Sequence, residues 1–247
     1  MMHGTLEGLL DTDSLSGPGD PSFSSVVLLM PFDGVNGATS GPGMTDFSAS
    51  NHGAATVSGQ SITTAQSVFG GSSLACSFPN YLTYPDSTDW HLGSGQFTIE
   101  CWVYPTGSGS TQYIVGQWGG AGGTQSWVLS VENSDNAGWR VSTTGSDTFL
   151  DLSSAGSTVP PNQWTAIAVD FDGTTYRLYC AGVCVATSTT LRNIFAGSGQ
   201  NLTINGRADH GGNFFVGDVD ELRITKGVAR YATNGSYAVT PVAFPTH

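Results

Sequence analysis

Residues 163–189 constrain the fold more than any other stretch of the chain. Apolar and polar side chains alternate through QWTAIAVDF, TTYRLYC and GVCVATST, which is the period of a β-strand with one buried face. Asp172-Gly173 is a strong hairpin signal, and Ala181-Gly182 supplies the next turn. The sequence therefore predicts a three-stranded antiparallel meander, which favours a fold built from antiparallel sheets.

Short strand-like segments continue through the rest of the chain. In FTIECWVYP (97–105) the apolar residues at odd positions share one face, and Pro105 ends the strand. Residues 227–231 (GVARY) predict one short C-terminal helix. Further strand candidates lie at 26–32, 73–78, 112–118, 126–131, 139–143, 201–205 and 214–224. Many short strands separated by turn residues predict an all-β fold, a two-sheet antiparallel jelly-roll sandwich.

The charge of the chain is distributed unevenly. Residues 1–139 carry 11 Asp or Glu and no Lys or Arg, whereas residues 140–247 carry 8 acidic and 7 basic residues, for a net charge of −12. A phosphate backbone would be repelled along more than half of the chain, so we expect no nucleic-acid partner. We also expect no membrane partner, because anionic lipids are disfavoured and the longest apolar run, 26–32, cannot span a bilayer.

Residues 1–24 are interpreted as an extended N-terminal arm or linker ahead of a single domain at 25–247. They are rich in Gly, Ser, Asp and Pro and show no sustained hydrophobic period. The N-terminus lacks the basic and apolar regions of a secretory signal, so we expect synthesis in a cytoplasm without general secretory export. The arm is either disordered or docked through Leu9, Leu10 and Phe23. Our expectation is docking on a neighbouring subunit of a homo-oligomeric assembly.

The four cysteines do not have the spacing of a disulfide framework. If Cys180 pairs with Val183 across the turn, Cys184 pairs with Tyr179, and the two sulfurs point to opposite faces of the hairpin. Cys76 and Cys101 fall inside predicted strands. We expect free thiols that behave as small apolar side chains.

A succession of motifs identifies a family resemblance. The motifs are PFDG (31–34), TDFSASNHG (45–53), FGGSSL (69–74), YLTYPDSTDWHLGSGQFTIECWVYP (81–105), QSWVLSV (125–131), the meander at 163–186 and GDVDELRITKGVARY (217–231). In this order they resemble the laminin-G-like group of the concanavalin A-like lectin and glucanase superfamily, over roughly residues 25–245. The closing DELRITKGVARY with its PVAFP tail resembles versions common in proteins of tailed bacteriophages and environmental bacteria.

The resemblance implies two antiparallel sheets, a role in glycan or protein binding and, in some members, a bound calcium ion. It suggests that Asp46 and Asp220 meet at a calcium site, with loop carbonyls near Asn51 and Gly53 completing the oxygen shell. Ala49 stands where a glycine is expected. The alternative is that Asp46 and Asn51 form Asx-turns and Asp220 accepts backbone hydrogen bonds.

The acids of GDVDELRIT (217–225) raise the question of catalysis. Glycosidases need two carboxylates about 5–9 Å apart, and glucanases of the superfamily place acids at alternate positions of one strand. Strand alternation puts Asp218 and Asp220 on one face with Leu222, where a third acid is needed, and Glu221 on the other. The glucanase pattern is broken, so we predict no catalytic residues. Leu222 and Ile224 are expected to pack inward.

Sugar binding uses aromatic faces beside planar polar groups and glycine loops. The candidates are Trp90, Tyr113, Trp118, Trp139 and Asn213, with the loops 119–125 and 207–213. For each aromatic residue the alternative is packing in the core. No zinc-site spacing, nucleophile elbow or phosphate loop occurs in the sequence.

These features predict a non-enzymatic virion accessory protein of a tailed phage, such as a capsid decoration, fibre or adhesin subunit. Its jelly roll would bind glycan or a neighbouring virion protein. The alternatives are a glycan-cleaving enzyme of the same fold and a bacterial surface-adhesion module. The expected location is the virion, or otherwise the cell surface or the extracellular space.

Overall fold

The computed structural model describes residues 19–107, 109–190, 193–196, 199–239 and 241–247. Two antiparallel sheets form a sandwich, as the sequence predicts. Three short 3₁₀ turns lie at Phe23–Ser25, Pro42–Met44 and Thr88–Trp90 in the part described. The strands there are β1 Val26–Met30, β2 Thr56–Ser58, β3 Ser61–Thr63, β4 Ser73–Cys76, β5 Tyr81–Tyr84, β6 Phe97–Pro105, β7 Gln112–Trp118, β8 Gln125–Glu132, β9 Asn136–Val141, β10 Leu150–Ser153, β11 Thr165–Phe171, β12 Tyr176–Cys180, β13 Val183–Ser188, β14 Leu202–Ile204 and β15 Gly217–Lys226.

The strand order brings distant parts of the chain together. The eight-stranded sheet runs β13-β12-β11-β6-β15-β4-β3, with β1 also paired to β15. The seven-stranded sheet runs β10-β9-β8-β7-β14-β5-β2. The long strand β15 therefore holds three partners, since β6 lies along one side while β1 and β4 pair with it at opposite ends.

The core lies between the two sheets. The odd positions of β6 from Phe97 to Val103 are at most 1% exposed, which confirms their predicted shared face. Phe97 of the eight-stranded sheet meets Trp139 of the seven-stranded sheet with ring centroids 5.6 Å apart. Each large apolar side chain buried in this way contributes about 1.5–3 kcal/mol, which is why alternation specifies the sandwich so strongly.

The predicted meander is confirmed as β11, β12 and β13. Cys180 pairs with Val183 and Tyr179 with Cys184, as the hairpin geometry requires. Cys180 is in the core and Cys184 is partly exposed on the other side. All four cysteines are free thiols.

The predicted helix at 227–231 is wrong. Residues 227–231 are irregular, beginning with Gly227 at a φ of 88°. The hydroxyl of Thr98 donates to the carbonyl of Val228 and accepts from the backbone N–H of Arg230. These side-chain bonds replace the backbone bonds of a helix and hold the segment against the sheet.

Residues 19–24, the end of the predicted arm, lie against the sandwich. The N–H of Asp20 donates to the carbonyl of His247 at 2.9 Å. The Asp20 carboxylate accepts from Arg223 and Arg230. Phe23 packs on a small cluster with Val26, Leu29 and Phe244. Residues 1–18, the rest of that arm, are outside the described residues.

Candidate functional site

Strand β15 contains a β-bulge that the sequence does not reveal. Asp220 pairs with Trp102 of β6, whereas Arg223 pairs with Glu100. Between these two pairs β15 advances by three residues while β6 advances by two, so β15 contains one extra residue. Glu221 has a φ of 53°, in the left-handed region, as expected for an extra residue in one strand of a pair.

The bulge changes which side chains share a face. Val219 and Leu222, three residues apart, both lie in the core together with Ile224. The predicted inward packing of Leu222 and Ile224 is confirmed. The prediction that Asp220 shares a face with Leu222 is wrong, because it assumed an unbroken period of two.

Two of the three acids of β15, Asp220 and Glu221, are enclosed by protein, while Asp218 is partly exposed. One oxygen of Asp220 accepts from the N–H groups of Val68 and Phe69, and one oxygen of Glu221 accepts from the N–H of Phe244. Asp220 and Glu221 are 0% and 1% exposed. A polysaccharide in solution cannot reach either carboxylate in this arrangement.

Burial raises the pKa values of all three carboxyl groups of β15. It raises the pKa of Asp218 to about 6, that of Asp220 to about 7 and that of Glu221 to about 8. The charge of Asp33 adds to the rise at Asp220 and Glu221. Asp33 Oδ1, Asp220 Oδ1 and Glu221 Oε1 are buried without a hydrogen-bond partner. Such oxygens suit a hard cation.

The other half of the predicted calcium site is a closed turn. The Asp46 carboxylate accepts from the N–H groups of Leu29, Ser48 and His52 and from the Ser48 hydroxyl. The Gly53 carbonyl accepts from the N–H of Asp46 and from the hydroxyl of Tyr84. Asp46 does not fit calcium, because a cation would displace these donors.

Asn51, the remaining predicted ligand, is exposed in the same turn, with a φ of 47° and its N–H bonded to the carbonyl of Ser48. The Asp46 and Asp220 carboxylates share no hydrogen-bond partner. No group of three His, Cys, Asp or Glu side chains suited to a metal occurs in the part of the chain described.

Two of the predicted aromatic residues are in the core. Trp90 and Trp139 are both 0% exposed. The indole of Trp90 donates to Pro85, and its own carbonyl accepts from Trp127. The prediction that Trp90 and Trp139 bind glycan is wrong, because both are core residues whose rings offer no face to a ligand.

Tyr113 and Trp118 lie on the outer face of the seven-stranded sheet, where they form a small buried cluster with Val128 and are only 6% and 5% exposed. Across the sheet, Gly116 of β7 pairs with Val128 of β8, and Val128 pairs with Arg140 of β9. The cluster of Tyr113, Trp118, Glu132, Arg140, Asp151, Arg207 and Asp209 is called the Tyr113 face. Burial raises the pKa of Tyr113, while the neighbouring charges of Arg140 and Arg207 oppose the rise.

Arg140 is the centre of a polar network on this face. Its guanidinium donates to Glu132 at 2.9 Å and to Asp151 at 3.1 Å. The hydroxyl groups of Thr111 and Ser130 also donate hydrogen bonds to the Glu132 carboxylate. The guanidinium is thereby fixed beside the Tyr113 ring.

The two glycine loops meet above Trp118. Arg207 forms a two-pronged contact with Asp209 at 2.8 and 2.6 Å, and the N–H of Gly120 donates to Asp209 at 3.1 Å. The N–H of Ala208 bonds to the carbonyl of Trp118. A Cβ at Gly120 would lie 1.9 Å from Arg207 Nη2, so this close approach requires glycine.

Asn213 braces this region. Its side chain donates to the carbonyl of Thr111, and its own carbonyl accepts from the N–H of Tyr113. Of the predicted glycan-binding residues, the structure therefore brings together Tyr113, Trp118 and Asn213.

Several side chains in the same region were not predicted from the sequence as glycan-binding residues. Tyr81 and His210 stack with centroids 3.7 Å apart, and the exposed Phe78 meets Phe214 edge-on at 5.2 Å. Arg140 could have been found, since it is the first basic residue of the chain and alternates with Trp139 and Val141.

The outer face of the eight-stranded sheet is occupied by the chain's own ends. Residues 19–25 and the tail after β15 cover it, and a cleft there is lined by Glu100, Trp102, Tyr231, Tyr237 and Phe244. Arg223 lies 3.8 Å above the Phe244 ring. The two outer faces thus differ, since one is covered and the other carries the Tyr113 face.

A family model described as the concanavalin A-like lectin/glucanases superfamily, of the laminin-G type, matches residues 79–230. This match spans more than half of the chain, so the chain belongs to that superfamily. No curated protein matches its sequence. Among the described residues, no helix is long and apolar enough to cross a membrane.

Solved structures show the same fold at low identity. The binding domain of Paraclostridial Mosquitocidal Protein 1 superposes with a TM-score of 0.61 and 15% identity, covering 85% of this chain and 50% of that one. Domain 4 of AbnA, a GH43 extracellular arabinanase from Geobacillus stearothermophilus in complex with arabinotriose, gives 0.60 and 18%, covering 84% and 95%. The receptor-binding domain of a botulinum neurotoxin mosaic serotype C/D gives 0.57 and 13%, covering 86% and 50%. The chain spans about half the length of the two toxin domains.

Proposed function

We propose that this chain is a non-enzymatic binding module whose Tyr113 face binds glycan. The observation that carries the proposal is the difference between the outer faces. The chain's own ends cover the eight-stranded sheet, while the seven-stranded sheet carries the partly exposed side chains of Arg140, Asp151, Arg207 and Asp209 beside its glycine loops. Such preorganised polar groups bind hydroxyl-rich ligands with little ordering cost. The solved structures of similar fold named above are two binding domains and a domain of an arabinanase in complex with arabinotriose, which supports a binding role.

The proposal that the chain is not an enzyme rests on its carboxylates. On the Tyr113 face, Glu132, Asp151 and Asp209 all accept hydrogen bonds from guanidinium groups. The hydrogen bonds from Arg207 lower the pKa of Asp209 to about 2. A glycosidase needs one carboxyl group that stays protonated to act as the acid. The acids of β15, whose pKa values are raised, lie on the other sheet, where Asp220 and Glu221 are enclosed and Asp218 is partly exposed.

We further propose that the module serves as a virion accessory subunit, a decoration, fibre or adhesin protein, in a homo-oligomeric assembly. The motif order of the sequence and its phage-like closing segment support this setting. Stoichiometric sedimentation of the chain with purified phage particles would support it. Recovery of the chain only from host cell surfaces would contradict it in favour of a bacterial adhesion module.

Calcium is a second proposal. Asp220, with its free Oδ1, would supply one ligand, and because the described residues hold no group of three acidic side chains suited to a metal, backbone carbonyls and water would supply most of the other oxygens. A bound cation would neutralise charges that otherwise lie close together in the interior. Its role there would be structural.

A glycan microarray tests the proposed function. Arg140→Ala and Arg207→Ala are compared with Lys226→Ala, a solvent-side control whose ammonium bonds only to the Thr88 carbonyl. Binding by the wild type and Lys226→Ala, with loss in both arginine variants, is expected. Equal binding by all four proteins, or binding by none, contradicts the proposal. Release of reducing sugar by the wild type would favour the enzyme alternative.

A further inference from the structure

We infer that the Tyr113 face takes a neutral glycan and excludes glycans that carry sulfate, uronate or sialate. This inference rests on the proposed function and adds the ligand class. It follows from the pairing of the two cations on this face.

The guanidinium of Arg140 is already neutralised. Glu132 and Asp151 accept from two of its nitrogens at 2.9 and 3.1 Å. An acidic sugar approaching Arg140 would also approach these carboxylates, of which Asp151 is half exposed. Like charges juxtaposed at an interface cost several kcal/mol.

The guanidinium of Arg207 is also engaged. Asp209 holds it through both carboxylate oxygens, and the N–H groups of Gly120 and Gly211 fix Asp209 in place. The Nε–Nη2 edge of Arg207, one of its two edges that could grip a planar anion in a bidentate contact, is therefore filled.

The Tyr113 face carries more negative than positive charge. Two guanidinium groups face three carboxylates there, those of Glu132, Asp151 and Asp209, which leaves the face with a net charge of −1. The other arginines in the described chain, Arg177, Arg223 and Arg230, bond to acids of the eight-stranded sheet or its tails. Arg192 is outside the described residues.

Neutral sugars fit the remaining hydrogen-bond capacity. A guanidinium has five N–H donors, and a carboxylate has about four acceptor positions, so each paired group keeps capacity beyond its ion pair. A hydroxyl group both donates and accepts, and it satisfies a paired Arg–carboxylate edge that neither an anion nor a cation satisfies fully. The same pairing that repels an acidic sugar therefore suits a polyol.

A microarray of unsubstituted oligosaccharides beside the same oligosaccharides carrying sulfate, uronate or sialate tests the inference. Binding confined to neutral members is expected. Equal or stronger binding of the acidic members overturns the inference and leaves the proposed function standing. Binding of no member overturns the proposed function and the inference with it.

An engineered gain of binding gives a second test. Asp151→Asn leaves Arg140 with one carboxylate instead of two, and Asp151 is half exposed, so the fold is expected to tolerate the change. Retention of acidic oligosaccharides should rise roughly three- to tenfold at low salt. The gain should disappear in Asp151→Asn/Arg140→Gln and should be absent in Asp172→Asn, which alters the Arg177 pair on the other sheet. No gain in Asp151→Asn overturns the inference.

Discussion

Arg223 and Glu100 form an ion pair between β15 and β6, beneath both described ends of the chain. Arg223 donates to Oε1 of Glu100 from Nε at 2.9 Å and from Nη2 at 2.7 Å. Its third nitrogen donates to Asp20 at 3.1 Å, and the hydroxyl of Tyr231 donates to Glu100. One buried pair thus connects residue 20 to the tail that follows β15.

Replacing Glu100 by Gln should destabilise the fold. Arg223 would keep only Asp20 as an acidic partner, and leaving a buried charge without its partner costs about 3–5 kcal/mol. Urea unfolding followed by tryptophan fluorescence measures the loss. Asp151→Asn, which removes a half-exposed partner, should cost less than about 1 kcal/mol and serves as the control. If both variants unfold at the same urea concentration, the Arg223–Glu100 pair does not stabilise the packing of the two chain ends on the sheet.

The Asp20 contact should give an acid-sensitive contribution to stability. Burial alone would raise the pKa of Asp20, but hydrogen bonds from Arg230 and Ser22 and the charges of both arginines hold it below its ordinary 3.8. A lowered folded pKa contributes stability that is fully present well above pH 3.8 and is lost as the pH falls through the folded value.

Melting temperatures of the wild type and Asp20→Asn between pH 2 and pH 7 test this contribution. The wild type should be more stable at neutral pH, and the difference should shrink below about pH 4, where Asp20 begins to protonate. A difference that is constant across this range would show that ionisation of the Asp20 carboxyl does not contribute to stability.

The strand pattern could be predicted because burial on one face fixes a period of two. The boundaries of β6 and β7 match the sequence, and only short strands such as β2, Thr56–Ser58, were missed, since three residues are too few to show a period. The bulge at Glu221 could not be predicted, because an extra residue in one strand depends on its partner. Because of this extra residue, Asp220 and Leu222 do not lie on the same face of the strand.

The candidate site was only partly predictable. Tyr113 and Trp118 are five residues apart on β7, so a strict period of two would place them on opposite faces. They share the outer face because the register of β7 against β8 shifts twice between them, and Trp90 and Trp139 carry no sequence mark that separates core from surface aromatics. Arg140 and Arg207 are 67 positions apart in the sequence. They come together only through loop contacts and strand order, which no local pattern encodes.

Calcium should raise the melting temperature through Asp220 and independently of Asp46. Asp220 keeps one buried oxygen without a partner, whereas both oxygens of Asp46 are occupied by the turn. Scanning calorimetry in EDTA and in millimolar calcium should show stabilisation of the wild type by mass action. Asp220→Asn should lose this response, and Asp46→Asn should retain it at a lower melting temperature. Identical wild-type curves in EDTA and calcium would contradict the calcium proposal.

Gly120→Ala should weaken glycan binding with little effect on stability. The new Cβ would lie 1.9 Å from Nη2 of Arg207 and 2.8 Å from Oδ2 of Asp209, both near the ends of side chains that can move into solvent. The contact between Arg207 and Asp209 would therefore shift, while the change in unfolding free energy should stay within about 1 kcal/mol. Gly122→Ala is the matched control, because its Cβ would meet only the side chain of Ser146. On the glycan microarray, Gly120→Ala should lose several-fold more signal than Gly122→Ala. Equal signals from the two variants would show that the Arg207–Asp209 contact does not form part of the ligand surface.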